Sequence, residues 1–323
     1  MKRFFQSEAG AAVLWVVLSM LMAATIAPWF YQAGMWLVGL TKTQNLPGIL
    51  EWLGSACERA DFSRFFSRAL IVSAFVLLPL LGWRIRVICR GENGTMVGLS
   101  FMPWKMALLQ VVLGCAIAGG FLWIGGMILE SLGAFTPKST PASIEKFLSR
   151  VLLAAVAVPL IEEWLIRGML LGLWLKFSKP LTACIGTSLF FAFVHFLKPP
   201  EGCTLSDPTS ALAGFELLGK VLFHFTDPQF FITEFATLFV IGMILAIARL
   251  RTGALWFSIG LHAGWVIAFK GFVLLHQPVL DHPFHPWGVG KTLQSGIYPL
   301  FILGLTAAVC SYVLRKFDLR KLS

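Results

Sequence analysis

The sequence predicts an all-α fold, a polytopic membrane bundle of about eight transmembrane helices with both termini in the cytoplasm. Three observations carry this reading. Hydrophobic residues make up 57% of the 323 positions and charged residues only 13%, with a mean hydropathy of +0.79, whereas soluble domains carry about 25% charged residues. Apolar stretches long enough to cross a hydrocarbon core recur along the whole chain. Lys and Arg gather on alternate connections. The composition excludes a disordered or collagen-like chain, and 6 cysteines are too few for a disulfide scaffold. The chain reads as a single membrane domain, 1–323, whose motif-bearing spans lie within 148–275.

In order, the expected spans are 11–37, 67–83, 105–129, 148–175, 179–197, 232–250, 253–275 and 295–314. Each is helix-periodic or apolar all round, as expected where lipid or protein touches every face. No alternating strand pattern suggests a barrel. The first span follows Lys2 and Arg3, as in a secretory signal, but its apolar character resumes through Trp29–Leu40, so it is expected to be a retained anchor that Pro28 kinks or ends early. Residues 46–62 and 209–225 mix apolar and polar positions and are expected to lie along the outer interface as amphipathic helices. The Pro-rich block around His276, His282 and His285 reads as a solvated outer loop rather than a metal site.

Orientation follows from the basic residues. One side carries Lys2, Arg3, Arg84, Arg86, Arg90, Lys105, Lys176, Lys179, Arg249, Arg251, Arg315, Lys316, Arg320 and Lys321, and only Glu8, Glu92 and Asp318 among the acids. That side is the cytoplasm by the positive-inside rule. The net charge of +10 is therefore a topology signal and implies no nucleic-acid partner. The expected location is a bacterial-type inner (plasma) membrane. Cys57 and Cys203 are the one outer cysteine pair, and no CxxC spacing points to a thiolate zinc site.

Ionisable groups in mid-membrane cost about 2.5–3.5 kcal/mol each on insertion scales, so each needs a reason. They concentrate in three spans: Glu162, Glu163 and Arg167 in the fourth, His195 in the fifth, and His262 in the seventh. Glu163 and Arg167 are four apart and share a helix face, as an ion pair requires. Glu162 stands about 100° round from Glu163 and projects toward the interior. One carboxylate and two imidazoles are the ligand types of a hydrolytic zinc site at Glu162, His195 and His262. The same set works without metal, with Glu162 as base toward water and an imidazole stabilising the oxyanion. Both readings are open at this point, and the soluble HExxH signature is absent.

Three segments then carry a resemblance. Glu162-Glu163-Trp164-Leu165-Ile166-Arg167 fits EExxxR, Phe191-Ala192-Phe193-Val194-His195 fits FxxxH, and Arg249–Trp265 runs through Thr252-Gly253-Ala254-Leu255-Trp256 into His262. In this order they resemble the CAAX prenyl endopeptidase and bacteriocin-processing (CPBP, or Abi) family of intramembrane proteases, over roughly residues 148–270. The resemblance implies an eight-span bundle that hydrolyses a peptide bond of a membrane-associated protein or peptide within the bilayer. It implies that Glu162 and His195 activate water, that His262 belongs to the oxyanion site, and that Glu163 and Arg167 support them. It leaves open a divalent metal such as zinc or a metal-free glutamate-activated water. The prenylated substrate of the eukaryotic members is not carried over. One departure stands out, because the family commonly has a polar residue four after the last His, where this chain has Val266; the indole N–H of Trp265 is nearby. The alternatives from other classes are a non-catalytic immunity or scaffold protein of the same family, suggested by Val266, and, more weakly, a proton-coupled transporter.

Overall fold

The computed structural model describes residues 8–88, 102–139, 143–175, 179–196, 204–224, 226–227 and 231–316. In chain order the elements are α1 (Glu8–Thr43), α2 (Gly48–Glu58), α3 (Phe62–Ile88), α4 (Trp104–Ser131), β1 (Phe135–Pro137), α5 (Ile144–Phe147), α6 (Leu153–Glu163), α7 (Leu171–Trp174), α8 (Pro180–His195), α9 (Ala213–His224), α10 (Ala236–Thr252), α11 (Trp256–Leu275), β2 (His276–Pro278) and α12 (Tyr298–Lys316). Among the described residues six helices are long and apolar enough to cross a membrane, and Pro180–His195 is a shorter apolar helix. The protein is a multi-pass integral membrane helical bundle.

The expected fourth span is continuously helical but not uniformly α. Turns of π-helix at Leu148–Leu152 and Trp164–Leu170 separate α5, α6 and α7. Pro159, inside α6, has no amide to give the carbonyl four residues back, so this helix starts one hydrogen bond short. Of the two outcomes expected at Pro28, an early end is not found: α1 runs through it to Thr43.

The chain forms two compact units, Met1–Asn93 with His195–Asp227, and Gly94–Val194 with Pro228–Ser323. In the first, α1 packs against α2, α3 and α9. Tyr31 meets Phe65 edge-on at 5.4 Å between ring centroids, and the indole of Trp15 donates to the carbonyl of Ala74 at 3.2 Å. Both amphipathic segments are helices. Helix α2 buries Gly54 and Cys57 and exposes Ile49 and Trp52; α9 buries Leu217 and Val221 and exposes Phe215 and Phe223. Lys220 beside Glu216, at 2.7 Å, holds that carboxyl below the usual carboxylate range. Cys57 is buried; Cys203, the other outer cysteine, lies outside the described residues.

The second unit is organised by the α4–α11 pair, two helices running in the same direction with glycines at their crossing. A Cβ on Gly114 would meet the Phe257 carbonyl at 2.7 Å and the Leu261 amide at 2.8 Å. One on Gly264 would run into the Cys115 carbonyl and lie 2.8 Å from the Gly119 amide, and one on Gly260 would strike the Val111 carbonyl. Small residues let backbones approach this closely in a bilayer, where association depends on packing rather than on hydrophobic expulsion.

The far ends of the same helices are clasped. Strands β1 and β2 pair antiparallel, Phe135 opposite Pro278 and Pro137 opposite His276. Lys138 donates from Nζ to the Val273 carbonyl at 2.6 Å. His276 is therefore not solvated, as the loop reading expected. It is 8% exposed, stacks on Phe272 at 4.0 Å, and lies 3.1 Å from Glu130 Oε2. The exposed His282 lies 3.1 Å from the Leu132 carbonyl. The strands were not foreseen, because three residues are too short to show a period of two.

Gly264→Ala should push α11 off α4 and cost about 1–3 kcal/mol, the usual range for overpacking. Gly120→Ala, where an added Cβ meets nothing within 4 Å, should leave the thermal midpoint of the detergent-solubilised protein unchanged. The two melting curves side by side check the seam.

Candidate active site

Helix α6 ends at Glu163, and the π turn that follows carries Arg167. Both side chains are enclosed, at 0% and 1% exposure. Charges so deeply placed are tolerated only when paired and hydrogen-bonded. Arg167 Nη1 donates to Glu163 Oε1 at 3.0 Å, and Nη2 donates to the Gly242 carbonyl on α10 at 3.2 Å. The guanidinium also lies over the ring of Phe191 on α8, 4.3 Å from its centroid, a cation–π contact strengthened by desolvation. Gly242 permits the arrangement, since a Cβ there would sit 3.0 Å from the Ser188 Cα on α8. One arginine thus joins three helices.

The same carboxylate oxygen has a second partner. His262 on α11 places Nδ1 3.0 Å from Glu163 Oε1. An oxygen that already accepts from a guanidinium accepts here too, so the proton sits on Nδ1 and Nε2 is turned the other way. There it faces Glu162, whose Oε2 lies 3.8 Å from Nε2. The ring of Phe191 meets the imidazole edge-on, centroids 6.1 Å apart at 83°. Glu163 is sealed, while the Glu162 side chain keeps 31% of its exposure. Two adjacent carboxylates are therefore placed differently: Glu163 is sealed and bonded to the imidazole, while Glu162 is partly exposed with its Oε2 buried beside that ring. At 3.8 Å the Glu162 and His262 atoms are too far apart to bond directly, but a water about 2.8 Å from each would bridge them.

Of the residues expected from the sequence, the structure gathers Glu162, Glu163, Arg167 and His262 in one network. His195 is the last residue of α8, one turn beyond Phe191 and on its face. Val266 and Trp265 follow His262 on α11, half-buried and buried respectively. The sequence reading gave Glu163 one partner, Arg167; the second, His262, lies 99 residues away and leaves no local signal. Phe191 was quoted only as a motif position, although its ring contacts both Arg167 and His262. The His276–Glu130 pair is separate, 14 residues further along the chain from His262, or about 21 Å at 1.5 Å per residue.

A resident metal fits these residues poorly. Hydrolytic zinc sites take three protein ligands. Among the described residues no group of three His, Cys, Asp or Glu is placed to hold an ion.

The family described as Type II CAAX prenyl endopeptidase Rce1-like matches residues 144–268. This segment is similar to that family, in line with EExxxR, FxxxH and the last histidine motif, and its buried Glu–His network is consistent with a Glu/His-based hydrolytic site. No curated protein and no solved structure matches the chain.

The network predicts distinct outcomes for two neighbours. Replacing Glu163 or Arg167 by an apolar residue strands a buried charge and should destabilise the protein by about 3–5 kcal/mol. Glu162→Gln should melt close to wild type, because that side chain keeps access to the open side. Yield and thermal midpoint in detergent distinguish them.

Proposed function

We propose that the protein is an intramembrane endopeptidase in which Glu162 is the general base, assisted by His195 and His262, with Glu163 and Arg167 as supports. The observation that carries this reading is the Glu162–His262–Glu163–Arg167 relay, a partly open carboxylate beside an imidazole whose opposite nitrogen is fixed by a sealed ion pair. In the proposed reaction Glu162 takes a proton as the water oxygen attacks the peptide carbonyl carbon, and the carbonyl electrons move onto oxygen. The tetrahedral intermediate then collapses, the C–N bond breaks, and Glu162 returns the proton to the leaving amine. His195, the histidine of FxxxH, is the residue that the family resemblance gives as helping to activate that water. His262, held through Nδ1 by Glu163, turns Nε2 to the oxyanion as its hydrogen-bond donor. The substrate is a membrane-associated protein or peptide. The matched family is named for prenylated CAAX proteins, which makes a farnesylated CAAX peptide the first candidate to try.

Completing the eight expected spans takes the π-interrupted helix of residues 144–174 and the short helix α8. The surplus of Lys and Arg near Arg84, Lys105, Arg249 and Lys316 supports cytoplasmic termini, as in a bacterial-type inner membrane. A reporter fused after Lys316 should then be active in the cytoplasm, and a cysteine placed at His282 should react with an impermeant external reagent. The reverse pattern would mean that one span was miscounted.

Val266 favours a second reading, a non-catalytic scaffold or immunity protein, because valine offers no donor where the family commonly has one. Glu162→Gln separates the two. It should abolish cleavage of a quenched farnesylated CAAX peptide, and any phenotype that complementation restores, at normal protein level. Full function in Glu162→Gln would leave the scaffold standing.

A further inference from the structure

We infer that the indole N–H of Trp265 is a second oxyanion donor, supplying in this chain what Val266 cannot. The inference rests on the proteolytic reading above. An attacked carbonyl needs hydrogen-bond donors aimed at the oxygen as charge builds, and one imidazole N–H is a thin provision in a low-dielectric site. Most donors near His262 already have acceptors. Arg167 gives Nη1 to Glu163 and Nη2 to Gly242, and Ser258 gives its hydroxyl to the Leu255 carbonyl. Ser188 sits against Gly242 on the α8–α10 contact. Trp265 differs. The residue is 5% exposed, and its Nε1 is buried with no hydrogen-bond partner among the described residues. A buried tryptophan N–H ordinarily has an acceptor, and one without is a donor held in reserve or a costly defect.

Helix geometry places that donor beside His262. Gly260 and Gly264 turn toward α4, and at about 100° per residue His262 points roughly opposite, with Trp265 about 60° to one side of it and Val266 about 40° to the other. Residues three apart are surface neighbours. Long side chains on a helix lean back over the preceding turn, so the indole covers the turn that holds His262 rather than its own. His262 Nε2 and Trp265 Nε1 can then close on one oxygen from adjacent positions. The same position explains how valine is tolerated at 266: the donor has moved one residue back along the helix.

The test uses the full-length protein in liposomes with two quenched CAAX peptides of one sequence, farnesylated and unprenylated. Two changes remove the N–H: Trp265→Phe, and replacement of Trp265 by benzothienylalanine, which keeps the bicyclic shape and exchanges only N–H for sulfur. Either should lower kcat by about 10²-fold, as loss of one oxyanion donor does, with KM within about twofold and the melting midpoint unchanged. Val266→Asn added to Trp265→Phe should recover about tenfold or more of the lost kcat by restoring a donor one turn from His262. A purely packing role for Trp265 would give neither the kcat-only loss in the isosteric variant nor the rescue. Wild-type kcat in the benzothienylalanine protein, with Glu162→Gln inactive, overturns this inference and leaves the proteolytic reading intact. Full activity in Glu162→Gln, or wild-type protein inert toward both peptides, overturns that reading and the inference with it.

Discussion

One oxygen atom, Oε1 of Glu163, holds this site together. It accepts from Arg167 at 3.0 Å and from His262 at 3.0 Å, and both donors come from outside its own turn of helix. Burying a carboxylate completely is unfavourable unless positive charge and donors surround it. That requirement draws the arginine inward, and the arginine in turn gathers Phe191 from α8 and Gly242 from α10. The imidazole of His262 is thereby presented with Nδ1 bonded to Glu163 and Nε2 turned to Glu162. The sealed pair sets the orientation, and the partly open carboxylate next to it is left for the chemistry.

The backbone makes this arrangement possible in two places. A π turn starts immediately after the paired glutamates, and such insertions in α-helices frequently coincide with functional sites. On the opposite side, Gly114 of α4 and Gly260 and Gly264 of α11 bring two backbones together closely enough that a Cβ on any of the three would collide with a carbonyl or amide. His262 points away from that seam because Gly260 and Gly264 face it. Sequence spacing two residues either side of the histidine thus decides which way its side chain looks.

Much of this was legible beforehand, for identifiable reasons. Length and hydropathy expose spanning helices directly, since lipid contact demands continuous apolar residues. The Glu163–Arg167 pair could be read because i,i+4 spacing is local. The Glu163–His262 bond, the Phe191 contacts and the Gly242 acceptor could not, since each joins residues on different helices and no spacing rule reaches across a bundle. His276 misled because its proline-rich neighbourhood suggested solvent, while its ring in fact packs on Phe272.

The clasp beyond the far ends of α4 and α11 has a mechanical meaning for the reaction centre. The two helices run parallel, fixed by backbone contact near Gly114 and Gly260 and tied again by the β1–β2 pairing and by Lys138 on Val273. Sliding one past the other by a single residue displaces His262 by about 1.5 Å, enough to take its Nδ1 out of bonding range of Glu163. The positional tolerance of the histidine is therefore narrower than one residue's rise. It is set partly by a short two-stranded pairing of distant segments, whose nearer strand begins at His276, beyond the end of the helix that carries His262.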